Sequence, residues 1–178
     1  MAVLLDAAED VLATNGAEAT TMAAIAKRAK VAVGTLYNYF PDRDALFSTL
    51  FHQRRSELVP GVIAAARAAQ RLPFERRLRA YITAVMNLFE QRRKFLAVVN
   101  AVDQKAIRIR TSKQPTMSAV TEAFTDILLA VSPEHAEEKA RMIVAAMKTL
   151  VLWRLERGEP LAMDADLIAD TFLAGVSA

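Results

Sequence analysis

The sequence predicts an all-α protein with an N-terminal three-helix helix-turn-helix domain and a larger C-terminal helical domain. Apolar residues make up 53% of its 178 residues, and they recur at the three- and four-residue spacing of helix faces. Only five glycines and six prolines interrupt them, which is too few for a turn-rich β fold. A compact stretch with many polar residues, up to Phe40, precedes longer apolar segments. The chain therefore divides into two parts of different character.

Composition excludes several classes of function. Cysteine is absent, which excludes disulfides, cysteine-type zinc sites, iron–sulfur clusters and thiol catalysis. His52 and His135 lie far apart in the sequence, and no H-E-x-x-H, G-x-S-x-G or glycine-rich phosphate motif is present. We therefore expect no enzyme, no catalytic residue, no metal site and no cofactor.

Hydropathy and the N-terminus bear on location. No uninterrupted apolar run reaches the roughly 18 residues of a membrane span, and the N-terminus lacks the basic region of a signal peptide. We therefore expect a cytoplasmic protein with no membrane partner.

Charge is unevenly distributed around the net value of +3. Residues 60–113 carry 12 Lys/Arg and 3 Asp/Glu, whereas residues 1–59 carry 6 and 7. Within the N-terminal part, the stretch from Lys27 to Arg55 holds 6 basic and 2 acidic residues. Such a basic surface suits a polyanion. Solvated helix faces are the alternative interpretation, above all for residues 60–113.

Two helices open the chain. Residues 2–15 have an amphipathic helical stripe, and Asn15-Gly16 ends it because both residues tolerate a left-handed cap. Thr20 or Thr21 then caps a second helix that runs to Ala29.

A third helix is predicted from Val33 to Phe40, because Pro41 cannot continue it. Leu36 and Phe40 share its inward face. Gly34 costs about 1 kcal/mol against alanine in a helix, which makes sense if something must approach the backbone closely; a frayed helix start is the alternative. The small, hydrogen-bonding residues that can point outward are Gly34, Thr35, Tyr37 and Asn38.

The next helices follow from caps and breakers. Asp42 caps a fourth helix to about Val59, and Pro60-Gly61 breaks or kinks it. The pattern resumes over residues 62–71, and Pro73 opens another helix at the position where proline is tolerated.

The C-terminal helices are predicted in the same way. Pro115 starts one helix, and Ser132-Pro133-Glu134 caps and opens a long helix that stops at Gly158. Asp164 or Asp166 caps the last helix.

The helix-turn-helix stretch, about residues 21–40, ends in the run GTLYNYF, and Arg43 follows three positions after Phe40. Through this run, Arg43 and several further pieces of sequence, residues 4–50 resemble the DNA-binding domain of the TetR family, the tetracycline-repressor-like regulators. The resemblance implies a DNA-binding domain over 1–47 and a helical ligand-binding and dimerisation domain over 48–178. The further pieces are Leu5-Asp6-Ala7-Ala8, Gly16, Thr20-Thr21, Ile25-Ala26, Ala29, Val31 and Leu46.

The function that this resemblance implies is a transcriptional regulator, in the family's common mode a repressor. It would bind a palindromic operator in double-stranded DNA as a homodimer and be released by a small-molecule effector. A helical protein-interaction module without DNA binding is the alternative.

By the same resemblance, the helix Val33–Tyr39 lies in the major groove of DNA. Lys30 and Ala32 depart from the family pattern, which usually has a glycine and then a serine-like helix cap at these places. The missing cap costs about 1 kcal/mol, and Lys30 is expected in a strained turn conformation. Lys27 and Arg28 are DNA-contact candidates on charge alone, as is Lys30. The expected DNA-contacting residues are Thr21, Lys30, Val33, Gly34, Thr35, Tyr37, Asn38, Tyr39 and Arg43.

The regulatory part has two expected surfaces. Aromatic and methionine side chains suit an adaptable apolar pocket, although the same residues fill any helical core. Because acidic residues are scarce in 60–113, we expect an apolar effector that is neutral or anionic. The expected pocket residues are Phe51, His52, Tyr81, Met86, Phe89, Phe95, Val99, Phe124 and Trp153. The expected dimer residues, on the last two helices, are Ile143, Ala146, Met147, Leu150, Arg154, Leu167, Thr171 and Phe172.

Overall fold

Every regular element in the described part of the chain is helical, which confirms the predicted all-α class. The computed structural model describes residues 1–103, 115–161 and 165–176, without the side chains of 99–103, 115 and 175–176. A 3₁₀ turn, Pro133–His135, precedes one of the helices. The helices are α1 (Ala2–Ala19), α2 (Met22–Ala29), α3 (Val33–Tyr39), α4 (Arg43–Ser56), α5 (Val59–Ala69), α6 (Phe74–Gln91), α7 (Arg93–Asp103), α8 (Pro115–Leu128), α9 (Ala136–Arg157) and α10 (Ala165–Val176).

The described residues form two compact units. Unit 1 contains Met1–Arg54 and the described part of Lys94–Ser112, so it holds α1 to α3, most of α4, and α7. Unit 2 contains Arg55–Arg93 and the described part of Lys113–Ala178, so it holds α5, α6 and α8 to α10.

Unit 1 has one apolar core to which each of its helices contributes. α7 joins this core through Phe95, whose ring centroid lies 6.1 Å from that of Phe51. Leu96 and Val98 pack against it from the same helix. The largest fully buried side chains of this core are Leu5, Leu12, Ile25, Leu36, Leu46, Phe47, Leu50, Phe51 and Phe95.

In unit 2, α6 lies against α5, α8 and α10, and α8 lies against α9. The Tyr81 ring of α6 meets the Phe124 ring of α8 edge to face, with centroids 4.8 Å apart. Arg79 of α6 pairs with Asp166 at 2.9 Å and Asp170 at 2.5 Å, both on α10. No helix in the described ranges is both long enough and apolar enough to cross a membrane.

The signals that depend on a few neighbouring residues are confirmed. Gly16 leaves the helical region (φ 74°, ψ 172°), although one further turn carries α1 to Ala19. The Thr21 hydroxyl caps α2, and the Asp42 carboxylate caps α4 by accepting from the Ala45 N–H at 2.7 Å. Gly158 ends α9 in the left-handed region.

The predicted break at Pro60-Gly61 is wrong by about one turn. α4 ends at Ser56, and Pro60 and Gly61 lie in the first turn of α5. Proline is tolerated there because the first N–H groups of a helix have no partner within it. Gly61 packs closely against α6, since a Cβ atom at this position would lie 2.8 Å from a methyl carbon of Leu88, whose side chain would have to shift.

Two predicted caps differ from the structure. Ser132 makes no capping hydrogen bond; its hydroxyl accepts from the Lys139 ammonium at 3.0 Å, and α9 begins only at Ala136. Asp164 lies outside the described residues, while Asp166 is inside α10 and pairs with Arg79.

Candidate functional site

Helix α3 has one face that holds it to unit 1 and one that faces solvent. Leu36 is fully buried and Phe40 almost so, which anchors the helix. Thr35 is partly buried, and its N–H donates to the Ala32 carbonyl at 2.9 Å, since Ala32 has no side chain to cap the helix. The side of α3 that faces solvent consists of five exposed predicted residues: Val33, Gly34, Tyr37, Asn38 and Tyr39. We call these five the α3 face.

The glycine on this face has no internal explanation. A Cβ atom built on Gly34 would meet nothing within 4 Å, and its backbone is not left-handed. Alanine would therefore fit, and helix propensity favours alanine by about 1 kcal/mol. The residue costs stability without serving the packing of unit 1.

The turn before α3 is a Schellman motif without its usual glycine. The N–H of Val31 donates to the Ala26 carbonyl at 3.0 Å, and that of Lys30 to the Lys27 carbonyl at 3.2 Å. Lys30 occupies the left-handed position (φ 57°, ψ 41°), which confirms the strained conformation expected from the sequence. Its side chain is exposed.

Thr21, at the start of α2, combines two possible hydrogen bonds. Its exposed hydroxyl oxygen accepts from the Ala24 N–H at 3.1 Å. A threonine hydroxyl also has a donor hydrogen, which is still available for an acceptor outside the protein.

Arg43 has a role inside unit 1 that the sequence did not indicate. Its guanidinium donates to the carbonyls of Ala17 (3.2 Å) and Thr20 (3.3 Å), and lies 5.7 Å from the centre of the Phe47 ring. These contacts tie the start of α4 to the end of α1 and to the loop that follows it. The side chain remains partly exposed.

Other basic side chains in this part of the chain pair with α1. Arg28 of α2 pairs with Asp10 at 2.5 Å, and Arg54 of α4 pairs with Glu9 at 2.7 Å and also with Asp6. These arginines fix α2 and α4 against α1, whereas Lys27 and Lys30 are exposed lysines.

The predicted pocket residues are distributed over both units. Phe51 and Phe95 lie in the core of unit 1, and His52 is exposed. Trp153 is 45% exposed and lies under the Arg157 guanidinium, 4.7 Å from its ring centre. The side chain of Val99 lies outside the description. The remaining four are buried in unit 2: Tyr81, Met86, Phe89 and Phe124.

Tyr81 stands out among the buried residues. Its hydroxyl has no hydrogen-bond partner among the described residues. Burial raises the pKa of this phenol, because the charged phenolate would lose its hydration.

The sequence did not indicate a groove of about 800 Å³ in unit 2. α5 and α8 form its walls, and α6 contributes Arg77. Its signal in the sequence is the run of small residues on α5 and α8, which helix propensity alone also explains. The lining residues are Val59, Ile63, Ala66, Arg67, Gln70, Arg77, Ser118, Ala119, Glu122, Ala123 and Asp126.

The predicted dimer residues differ in exposure. Ile143 and Met147 are buried inside unit 2, while Ala146, Leu167 and Thr171 are exposed. Leu150 and Phe172 are partly buried. Arg154 is also partly buried and pairs with Glu159 at 3.1 Å.

An outward stripe on α9 was only partly predicted. It comprises Met142, Ala146, Thr149 and Trp153, which are all exposed and follow the i, i+4, i+7, i+11 spacing of one helix face. Met142 is 66% exposed, and Leu167 on α10 is 63% exposed. We call these four α9 residues the α9 stripe.

Comparison with known proteins finds the same fold in bacterial regulators. Residues 4–50 match the family model of bacterial regulatory proteins, tetR family. The fatty acid metabolism regulator protein of Bacillus subtilis (strain 168) is 36% identical over 56 residues, which are 32% of this chain and only 29% of that protein.

Two solved structures resemble nearly the whole chain. The transcriptional regulator FadR from Bacillus subtilis, in complex with stearoyl-CoA, has a TM-score of 0.77 and 17% identity, with 98% of both chains covered. A TetR-like transcriptional regulator from Rhodococcus sp. RHA1 has a TM-score of 0.71 and 25% identity, covering 99% of this chain and 95% of that one. These relatives are regulators and not enzymes, as predicted for this chain.

Proposed function

We propose that this chain is a transcriptional regulator of the tetR family, and that it acts as a dimeric repressor that binds a palindromic operator and is released by a small-molecule effector. The observation that carries the DNA-binding part is Gly34, an exposed helical glycine with open space around its missing side chain. A backbone of this kind, with no side chain above it, permits close approach by the edge of a DNA groove.

The proposal assigns DNA binding to residues 1–47 and regulation to residues 48–178. In it, the α3 face enters the major groove. Val33 offers an apolar contact to a thymine methyl group, and Asn38 offers the amide pair that suits adenine. Thr21, Thr35 and Arg43 contact the backbone phosphates, and the exposed Lys30 adds charge near them.

Dimerisation is proposed because one reading helix covers only half of a palindrome. Two copies related by a two-fold axis present α3 helices to successive major grooves, about 34–36 Å apart. The α9 stripe and Leu167 supply exposed apolar side chains for the contact between copies. Ile143 and Met147, which are buried within unit 2, then support this surface from behind.

The effector is proposed to be apolar and either neutral or anionic. Acidic residues are scarce in residues 60–113, and the FadR relative of known structure was solved with stearoyl-CoA. An effector of this kind releases DNA only if it binds better to a conformation in which the two α3 helices are wrongly spaced. We propose that the protein acts in the cytoplasm, where operator and effector meet.

Footprinting on the DNA upstream of the chain's own gene tests this function. We expect a protected palindrome whose binding weakens steeply with salt. Thr35→Ala and Tyr37→Phe should each weaken binding, whereas Thr83→Ala, an exposed threonine on α6, should not. A helical protein-interaction module would instead bind neither this palindrome nor other DNA in a salt-dependent way.

A further inference from the structure

The groove between α5 and α8 has the shape of a site for an elongated ligand. Its α5 side uses positions 59, 63, 66, 67 and 70, which share one helix face. At 1.5 Å per residue, this face is about 16 Å long. Ala66, Ala119 and Ala123 leave the space between the helices unfilled, and about 800 Å³ lies within the range of small-molecule pockets.

One wall of the groove is apolar and exposed to solvent. Ile63 lines it and is 43% exposed. Val59 and the three alanines extend this apolar wall. A ligand chain lying along α5 would remove this surface from water.

Arg77 brings a guanidinium to the lining of the groove. The side chain is partly buried, and its Nε atom is buried with no hydrogen-bond partner among the described residues. A guanidinium has five N–H donors and no acceptor, so only an acceptor can satisfy it. Because no described acceptor is hydrogen-bonded to Nε, an anionic oxygen beside this guanidinium would meet a positive charge that is not already offset at that atom.

Charge decides which acceptor is preferred. Arg67 also lines the groove, and Glu122 and Asp126 line it from α8. The two carboxylates are exposed, so water and salt screen their repulsion of an anion. The partly buried Arg77 is screened less than these exposed carboxylates, which favours an anionic oxygen next to its guanidinium.

We infer that the α5–α8 groove binds an amphiphile with an apolar chain and an anionic oxygen head group, and that Arg77 contacts the head group. This inference rests on the proposed function, since it identifies the effector class and the effector site. Of the residues predicted for the pocket from the sequence, none lines this groove.

Binding of dodecyl compounds to the full chain without DNA tests the inference. The probes are dodecanoate, dodecyl phosphate, dodecanoyl-CoA, dodecanol and dodecyltrimethylammonium, each below its micellar concentration. We expect at least one anionic probe to bind at least tenfold tighter than the alcohol and the cation. The three anions distinguish a carboxylate, a phosphate and a thioester ligand.

Variants assign the binding to the groove. Arg77→Gln should weaken binding of the anionic probes at least tenfold and leave the affinity for dodecanol unchanged. Arg76→Gln, at the exposed neighbouring position, should change neither affinity. Ala123→Leu places a larger side chain in the groove and should lower the affinity of every probe that binds the wild type. Circular dichroism and melting curves establish that each variant is folded.

Three results would overturn the inference: tightest binding of the cation, anion binding that survives Arg77→Gln, or anion binding that survives Ala123→Leu. The proposed function fails separately. If the anion binds in the groove and no operator exists, the ligand site is supported and the proposed regulatory function is contradicted. If an anion releases operator DNA from the Ala123→Leu variant as well as from the wild type, the regulatory function is supported and the groove is not the effector site.

Discussion

The Val31 N–H donates to the Ala26 carbonyl at 3.0 Å and thereby closes the turn between α2 and α3 around a left-handed Lys30. A residue with a Cβ atom is disfavoured in that conformation by about 1–2 kcal/mol. This turn sets the angle at which α3 leaves α2, and unit 1 maintains it despite the strain because Val31 packs against the core.

Lys30→Gly should therefore raise the free energy of unfolding by about 1 kcal/mol, because glycine adopts the left-handed conformation without strain. Urea denaturation measures the change. Lys27→Gly is the matched control: this residue is helical, so glycine there should cost about 1 kcal/mol. Loss of stability in Lys30→Gly would contradict the assignment of strain to this residue.

Arg43 has two separable roles, one in the fold and one proposed on DNA. Arg43→Lys keeps the charge but loses the fork that reaches the Ala17 and Thr20 carbonyls. It should lower the free energy of unfolding by about 1 kcal/mol and leave the salt dependence of operator binding unchanged. Arg43→Met should lower that salt slope by about 0.9. If the salt dependence of operator binding is unchanged in Arg43→Met, Arg43 does not contact a phosphate.

Tyr81 predicts a loss of stability in alkali. Its pKa is raised by burial, while the unfolded chain ionises near the ordinary value of about 10. Above that pH the unfolded state binds fewer protons than the folded state, so stability falls as pH rises. Below it, the phenol is neutral in both states and contributes no pH dependence.

Tyr81→Phe should remove that loss, which is roughly 0.8 kcal/mol between pH 8 and pH 10.5. At pH 8 the variant should be at least as stable as the wild type, because the hydroxyl has no partner in the described part of the chain. Urea denaturation of both proteins at the two pH values measures it. Equal alkaline losses would mean that Tyr81 ionises as readily in the folded protein as in the unfolded chain.

Met142→Glu should weaken the proposed dimer at least tenfold, about 1.4 kcal/mol, because it places a charge on the α9 stripe. The side chain is 66% exposed in one chain, so folding should be unaffected. Lys148→Glu, exposed on α9 but away from the stripe, is the control. Size-exclusion chromatography with light scattering measures the mass. A dimer that persists in Met142→Glu at every concentration would move the interface elsewhere.

Local signals in the sequence were sufficient for the fold class and for most helix ends. Thr21, Asp42 and Gly158 act through neighbouring residues alone, so a reader of the sequence can find them. Ser132 shows the limit, because the Lys139 ammonium occupies its hydroxyl. That competition depends on where the next helix turns.

The sequence pattern did not predict which helix faces are buried or which core a given residue joins. α9 carries apolar residues on two faces, and periodicity cannot say which one is inward. The structure buries Ile143 and Met147 and exposes Met142. Likewise, Phe95 could have joined any core, and its packing against Phe51 in unit 1 depends on the chain's path. The α5–α8 groove arises from small residues on separate helices, which no single pattern marks.

Under the proposed function, Gly34 is kept for contact with DNA and not for the fold. Gly34→Ala should raise the free energy of unfolding by up to about 1 kcal/mol, since the new Cβ meets nothing within 4 Å. The same variant should bind operator DNA about tenfold more weakly or worse, because the methyl group stands between α3 and the groove. Asn87→Ala, exposed on α6 in unit 2, is the control for added helix propensity and should leave DNA affinity unchanged.

The decisive measurement is the operator dissociation constant of Gly34→Ala beside its unfolding free energy. A more stable protein that binds DNA more weakly is the result expected. A variant that is more stable and binds DNA as well as the wild type would contradict the claim, and with it the assignment of the α3 face to the major groove.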